Sequence, residues 1–185
     1  MRFTRDVAST IGRVLSSVHA GDRKLAGHKL GVAHLQSVEV ASPDFDAGGM
    51  LPRDATVDGR GTPPTIAWRG IPPGARSIVL LAEDPDAPLP EPFVHWMVYG
   101  LPPTVTVLDG KPEGYGHEGK NSKLKNAFTP AAPPPGHGVH HYHFQVFALD
   151  IEIDLPDGAG RHALIAAMRG HVVTWGELVG VYERR

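Results

Sequence analysis

The chain contains no cysteine, which excludes disulfides and thiolate chemistry of any kind. No apolar run approaches the ~20 residues that a helix needs to cross a bilayer. Met1-Arg2-Phe3-Thr4-Arg5-Asp6 leads into no continuous apolar stretch, which argues against a secretory signal. Neither sign of charge is in excess: 18 Lys and Arg against 20 Asp and Glu leave a formal net charge of −2. No global basic field is therefore available to attract nucleic acid or an anionic membrane. These absences fit a cytoplasmic protein with no nucleic-acid partner and no membrane span. Glycine and proline are abundant, with 22 and 18 residues, but they follow no collagen-like period. With 41% hydrophobic residues in a chain of 185, this composition fits one loop-rich β domain with a core of its own better than a helical bundle.

Two segments read as buried strands. Residues 77–83 (SIVLLAE) and 93–101 (FVHWMVYGL) are rich in β-branched, aromatic and leucine residues and are bounded by turn residues. Residues 139–153 form a third strand region, with His140, Tyr142, Phe144 and Val146 on one face and His141, His143, Gln145 and Phe147 on the other. Weaker strands are expected at 35–41, 65–68 and 178–182, and a short helix at 161–170. Val7, Ile11, Val14, Leu15 and Val18 place one apolar stripe on a helix over residues 5–19. This predicts an N-terminal helical extension, residues 1–34, ahead of the main domain at 35–185. The stripe packs on its own domain, forms the contact of a homodimer or belongs to a detachable arm. Residues 42–64 and 102–137 are Gly/Pro-rich connections, and long connections in compact domains are usually functional or disordered.

The chemistry-bearing residues gather where the two strongest strands meet. Asp84 and Asp86 lie in Asp84-Pro85-Asp86-Ala87-Pro88, a turn stiffened by two prolines, and His95 opens the following strand. If the strands pair antiparallel, Asp84, Asp86 and His95 converge at one end of the sheet, and ionisable groups collected there are costly unless they serve a purpose. Bland readings exist for each: an Asp before Pro commonly caps a turn, and a His at a strand start is often a satisfied core residue. Four of the 11 histidines fall within residues 137–143, but on a strand only His141 and His143 point together, too few for a zinc site. His140 and Tyr142 share the other face and both can donate to an oxyanion.

The order Asp84-Pro85-Asp86-Ala87-Pro88, His95-Trp96, Pro133-Pro134-Pro135-Gly136-His137-Gly138-Val139-His140-His141-Tyr142 and Phe147-Ala148-Leu149-Asp150 resembles the phosphatidylethanolamine-binding protein family, in particular its prokaryotic, Raf kinase inhibitor-like branch. Thr62-Pro63-Pro64-Thr65-Ile66-Ala67-Trp68 and Gly176-Glu177-Leu178-Val179-Gly180-Val181-Tyr182 also match, and the resemblance covers roughly residues 35–183. It implies a mainly β fold, with a large central antiparallel sheet, a smaller second sheet and a few peripheral helices. It further implies a pocket for small anions, including the phosphoethanolamine head group, that uses Asp84, Asp86, His95, His140 and Tyr142, with Ala132 on the facing loop. That loop departs from the family pattern. Phe128-Thr129-Pro130-Ala131-Ala132-Pro133-Pro134 stands where the family has glycines whose N–H groups face the anion. Pro130 donates no N–H, and Ala132 disfavours a left-handed backbone.

The expected function is non-catalytic binding of a small anion or a zwitterionic head group. In that arrangement one aspartate orients a histidine and the other receives an ammonium or hydroxyl. Modulation of a kinase or protease partner is what the resemblance implies for some members. The alternative is a hydrolase of small phosphate esters or glycosides using Asp84, Asp86 and His95. Against it, the chain has no Gly-x-Ser-x-Gly elbow and no His-Glu-x-x-His, and two carboxylates in a short turn are closer than glycoside hydrolysis usually requires. No cofactor and no metal is expected.

Overall fold

A strand whose residues are apolar on both faces must be covered on both sides. That requirement organises the fold seen in the computed structural model, which describes residues 19–184. The strand β3 (Ser77–Asp84) is buried at every position. It sits at the centre of a five-stranded sheet with β4 (Phe93–Leu101), β6 (His117–Glu118), β7 (His140–Leu149) and β8 (Val172–Tyr182), in the order β6-β4-β3-β7-β8 and antiparallel throughout. A second antiparallel sheet, β1-β2-β5, is built from β1 (Glu39–Ala41), β2 (Ile66–Arg69) and β5 (Val107–Leu108). The fold is therefore mainly β, with a large sheet, a small sheet and few helices.

One face of the large sheet (Leu80, Trp96, Phe144, Val146) packs on the small sheet through Val40, Ile66, Trp68 and Leu108. The other face (Leu81, Met97, Phe147, Leu149) is covered by the helix α2 (Arg161–Met168) and by the segment carrying the short helix α1 (Ala26–Leu30). In α2 the buried residues Arg161, Leu164, Ile165 and Met168 recur at the spacing of one helical face. Trp175 stacks on Phe147 with ring centroids 5.6 Å apart and donates its indole N–H to the Val32 carbonyl at 2.8 Å. The expected helix over 5–19 lies, but for its last residue, outside the described residues. Among the described residues no helix is long and apolar enough to cross a membrane.

Sequence and structure differ chiefly in four places. The strand region expected at 139–153 ends at Leu149. The strand expected at 35–41 is limited to Glu39–Ala41, because residues 36–38 bend to hydrogen-bond with β8 instead. The connection 102–137 contains β5 and β6, each two residues long and too short for any periodicity to show. The last strand begins at Val172, not at 178. Gly176 is an internal strand position where another chain segment comes very close: a Cβ there would lie 2.0 Å from the Val38 carbonyl oxygen.

That approach covers the outer edge of β8. Ser37 and Val38 both donate N–H to Trp175 O at 3.0 Å. Further along, Gly48 N–H and Leu51 N–H bond to Val179 O and Val181 O. Gly176→Ala is expected to lower stability by about 2 kcal/mol through overpacking, whereas Gly74→Ala, with nothing within 4 Å of the added Cβ, is expected to be near neutral. Urea denaturation of both variants beside the wild type tests this, and equal midpoints for all three would contradict the close approach.

Candidate functional site

The end of β3 places two consecutive carboxylates on opposite faces of the sheet, as strand alternation demands. Glu83, fully buried, points to the helical side. It accepts from Arg161 Nε at 2.5 Å, Gln145 Nε2 at 2.7 Å and the Ala26 backbone N–H at 2.8 Å. Asp84, 3% exposed, points to the other side. Its Oδ1 accepts the backbone N–H groups of Asp86 at 2.8 Å and Ala87 at 3.1 Å, so it does cap the proline turn. Its Oδ2 accepts Nδ1–H of His140 at 2.7 Å and lies 3.9 Å from Nε2 of His95. Burial pushes the Asp84 carboxyl up, but the imidazoles of His140 and His95 outweigh it and hold the group at about 2.

Asp84, His95 and His140 line a cavity of about 330 Å³. Its other walls are the turn residues Ala87, Pro88 and Leu89, the β4 residue Phe93, and Thr129, Pro130, Ala132, Pro133 and Pro134 from the facing loop, with Lys123 the cation among the lining residues. The cavity thus joins the end of β3, the start of β4, the start of β7 and a loop distant in sequence.

Of the residues singled out from sequence, Asp84, His95, His140 and Ala132 meet at this cavity. Asp86 does not line it. Past Pro85 the chain has turned, and Asp86 Oδ2 accepts both the backbone N–H and Nδ1–H of His141, each at 2.8 Å. Tyr142 stands behind His95, ring edge to ring face with centroids 5.1 Å apart. Its hydroxyl is buried with no hydrogen-bond partner among the described residues. Burial, followed by the negative charges of Asp84 and Asp86, pushes that phenol up. His140 is less free than its place on the wall implies. With Nδ1 given to Asp84, its Nε2 is 2.8 Å from Nδ1 of His137, so both of its nitrogens are engaged. His141 and His143 pair with separate carboxylates, Asp86 and Glu177, and the described residues contain no group of three or more His, Asp or Glu able to hold a metal ion.

Lys123, Asn121 and the role of Thr129 escaped the sequence. Thr129 and His95 exchange two bonds: Thr129 N–H donates to His95 O at 2.8 Å, and Nδ1 of His95 donates to Thr129 O at 2.7 Å. The loop that supplies Thr129 and Lys123 is pinned by Asn121, 2% exposed. The Asn121 amide donates to Ala127 O and Thr129 Oγ1 at 2.7 and 2.8 Å and accepts from the N–H groups of Lys123 and Lys125 at 2.9 and 3.1 Å. All four capacities of the side-chain amide are used. His137 sits between Gly136 and Gly138, whose φ values of 76° and 110° let the turn bring its ring onto His140.

Asp84 has a definite consequence for acid stability. Its carboxyl ionises at lower pH in the folded protein, about 2, than as a free side chain, 3.8. Its contribution is therefore complete above pH 4 and disappears as pH falls toward 2, and the gap corresponds to about 2 kcal/mol. Asp84→Asn is expected to be less stable than the wild type by roughly that amount at pH 6, with the difference closing between pH 4 and 2. Urea denaturation at pH 6, 4 and 2.5 measures it, and a difference that stays constant with pH would contradict the assigned hydrogen bonds.

The chain matches the family model for phosphatidylethanolamine-binding protein over residues 41–183. It is 37% identical over 163 residues to a UPF0098 protein of Pyrococcus abyssi, covering 84% of this chain and 90% of that one. Among solved structures, CT736 of Chlamydia trachomatis, a phosphatidylethanolamine-binding protein homologue, superposes with a TM-score of 0.75 at 30% identity, covering 81% of this chain and 99% of the other. Escherichia coli YbcL, described as a member of the mammalian PEBP family, gives 0.74 at 30% identity over 80% of this chain and 99% of its own. By sequence and by fold, this chain belongs to the phosphatidylethanolamine-binding protein family.

Proposed function

We propose that this protein binds a small anionic or zwitterionic ligand, a phosphate or phosphoethanolamine-like head group, in the cavity at the end of β3 and β4, and releases it unchanged. The observation that carries this reading is a cavity with Lys123 and His95 on its walls, built over a carboxylate that is already hydrogen-bonded by the protein. Asp84 receives three hydrogen bonds from the protein, two from backbone N–H groups and one from His140. Its repulsion of a bound anion is correspondingly softened. The remaining lone pair on the His95 side suits an ammonium, while Lys123 and His95 suit a phosphate, so a zwitterion satisfies both ends.

The same features weigh against hydrolysis. A carboxylate held at about 2 is a poor proton acceptor near neutrality. Asp86, the second carboxylate that acid–base chemistry would need, is paired with His141 away from the cavity wall. Family membership supports ligand binding with a regulatory role in general terms. A kinase or protease as partner, a second copy of the chain as dimer mate and a cytoplasmic location are finer readings that rest on the resemblance and on composition.

Titration calorimetry with phosphoethanolamine tests the ligand site. One molecule is expected to bind per chain, and Ala132→Trp, which fills the cavity from an exposed wall position, is expected to weaken binding at least tenfold with little change in thermal stability. Unchanged binding in Ala132→Trp would place the ligand elsewhere, and no binding to the wild type would refute this ligand class.

A further inference from the structure

Anions are held by hydrogens, so the question at this cavity is which polar atoms carry one. His95 is fixed on this point. Its Nδ1 lies 2.7 Å from the Thr129 carbonyl oxygen. A carbonyl only accepts, so Nδ1 carries the ring hydrogen and neutral His95 has a bare lone pair at Nε2. That lone pair is 3.9 Å from Oδ2 of Asp84, itself an acceptor. In the neutral state this part of the cavity therefore presents acceptors alone. His140 adds no donor, because Nδ1 bonds Asp84 and Nε2 bonds His137. Lys123 is a standing cation, but at the position where His95 and Asp84 meet an anion oxygen would confront two lone-pair faces.

Resting on the binding reading given above, we propose that the Thr129 carbonyl makes anion binding here proton-coupled: the cavity takes up an anion together with one proton, which sits on Nε2 of His95 and is donated to the ligand. The proton comes from solvent and no covalent bond is made or broken. Protonated His95 donates at both nitrogens, to Thr129 O and to the anion, and its charge offsets that of Asp84 alongside. Without the proton, the same wall favours a ligand that brings its own hydrogen, such as an ammonium or a hydroxyl. Thr129 is on this view a specificity-determining residue that acts through its backbone: had the ring been held through a donor, neutral His95 would already present N–H to the cavity.

The groups facing His95 are these. Asp84 approaches from the end of β3, and Tyr142 from β7 presents a neutral phenol whose ionisation burial opposes. Phe93, on the same strand, packs its ring 4.7 Å from the imidazole. Thr129 holds Nδ1, and Lys123 lines the same cavity. His137 and His140 lie beyond Asp84 as the other imidazoles of the network. A proton taken there gives the cavity no new donor, since both His140 nitrogens stay engaged and His137 is not on the wall.

Sulfate is the probe, because it remains a dianion across the range and contributes no titration of its own. Calorimetry from pH 6 to 9, in two buffers of different ionisation heat, is expected to count one proton taken up per sulfate. The association constant should fall tenfold per pH unit at the alkaline end. Lys123→Met is expected to bind more weakly throughout this range with the uptake unchanged, and His95→Gln to lose the uptake and the pH dependence. In the intact wild type, nitrogen NMR at pH 8 is expected to show Nε2 of His95 passing from the unprotonated to the protonated shift on adding sulfate, a readout that needs no variant to fold. Sulfate binding that is flat with pH, or uptake that survives in His95→Gln and so belongs to His137 and His140, would overturn proton coupling while leaving anion binding intact. Absence of sulfate binding at every pH would overturn anion binding itself.

Discussion

The structure depends on how it accommodates two adjacent negative charges at the buried end of one strand. Isolated carboxylates in such a place would carry a penalty of several kcal/mol each. Alternation along β3 separates Glu83 and Asp84 onto opposite faces and gives each its own set of donors. Glu83 gathers Arg161 from α2, Gln145 from β7 and the start of α1, and so ties the helical layer to the sheet. Asp84 gathers its own turn and the imidazole of His140, and so forms the floor of the cavity. One side of the strand end is fully spent on architecture; the other keeps a lone pair within reach of a ligand.

The two networks are joined through the proline turn. Arg161 also bonds Lys24 O and Glu91, Lys24 Nζ bonds Pro90 O, and Gly21 N–H bonds Pro85 O. The segment leading into α1 is therefore fastened to the same turn whose other side, from Ala87 to Leu89, walls the cavity. Asn121 performs a similar task across the opening, where a single buried amide holds the loop that carries Lys123 and Thr129. Site geometry is thus set by side chains that do not themselves reach a ligand, the arrangement by which rigid scaffolds position binding groups on loops.

This division explains what the sequence disclosed. Residues 93–101 were legible as a strand and coincide with β4, and the continuous apolar run of β3 announced a strand covered on both faces. The meeting of Asp84, His95 and His140 followed from antiparallel pairing and motif order. Asp86 looked equivalent to Asp84 because both flank Pro85, but only the strand end is held toward the cavity, and the position two residues later has already turned to His141. Lys123, Thr129 and Asn121 gave no signal, since their roles arise from a loop with no period and from a backbone carbonyl that looks the same in any residue. The first half of β8 was hidden for a related reason: the role of Gly176 as a point of contact emerges only once residues 36–38 are in place.

The lid of backbone over β8 bears on how this molecule meets others of its kind. A free outer strand is a template on which a second β-protein can zip, and natural sheets blunt or hide such rows. Here residues 36–38 and 48–51 already occupy much of the outer hydrogen-bonding row of β8, while the opposite margin ends in β6, only two residues long. Continuous sheet extension from one copy into the next is blocked at the first margin and has little backbone to grip at the second. Self-association, where it occurs, is steered toward side-chain surfaces, and a protein rich in β-structure is kept from the fibrous route to oligomers.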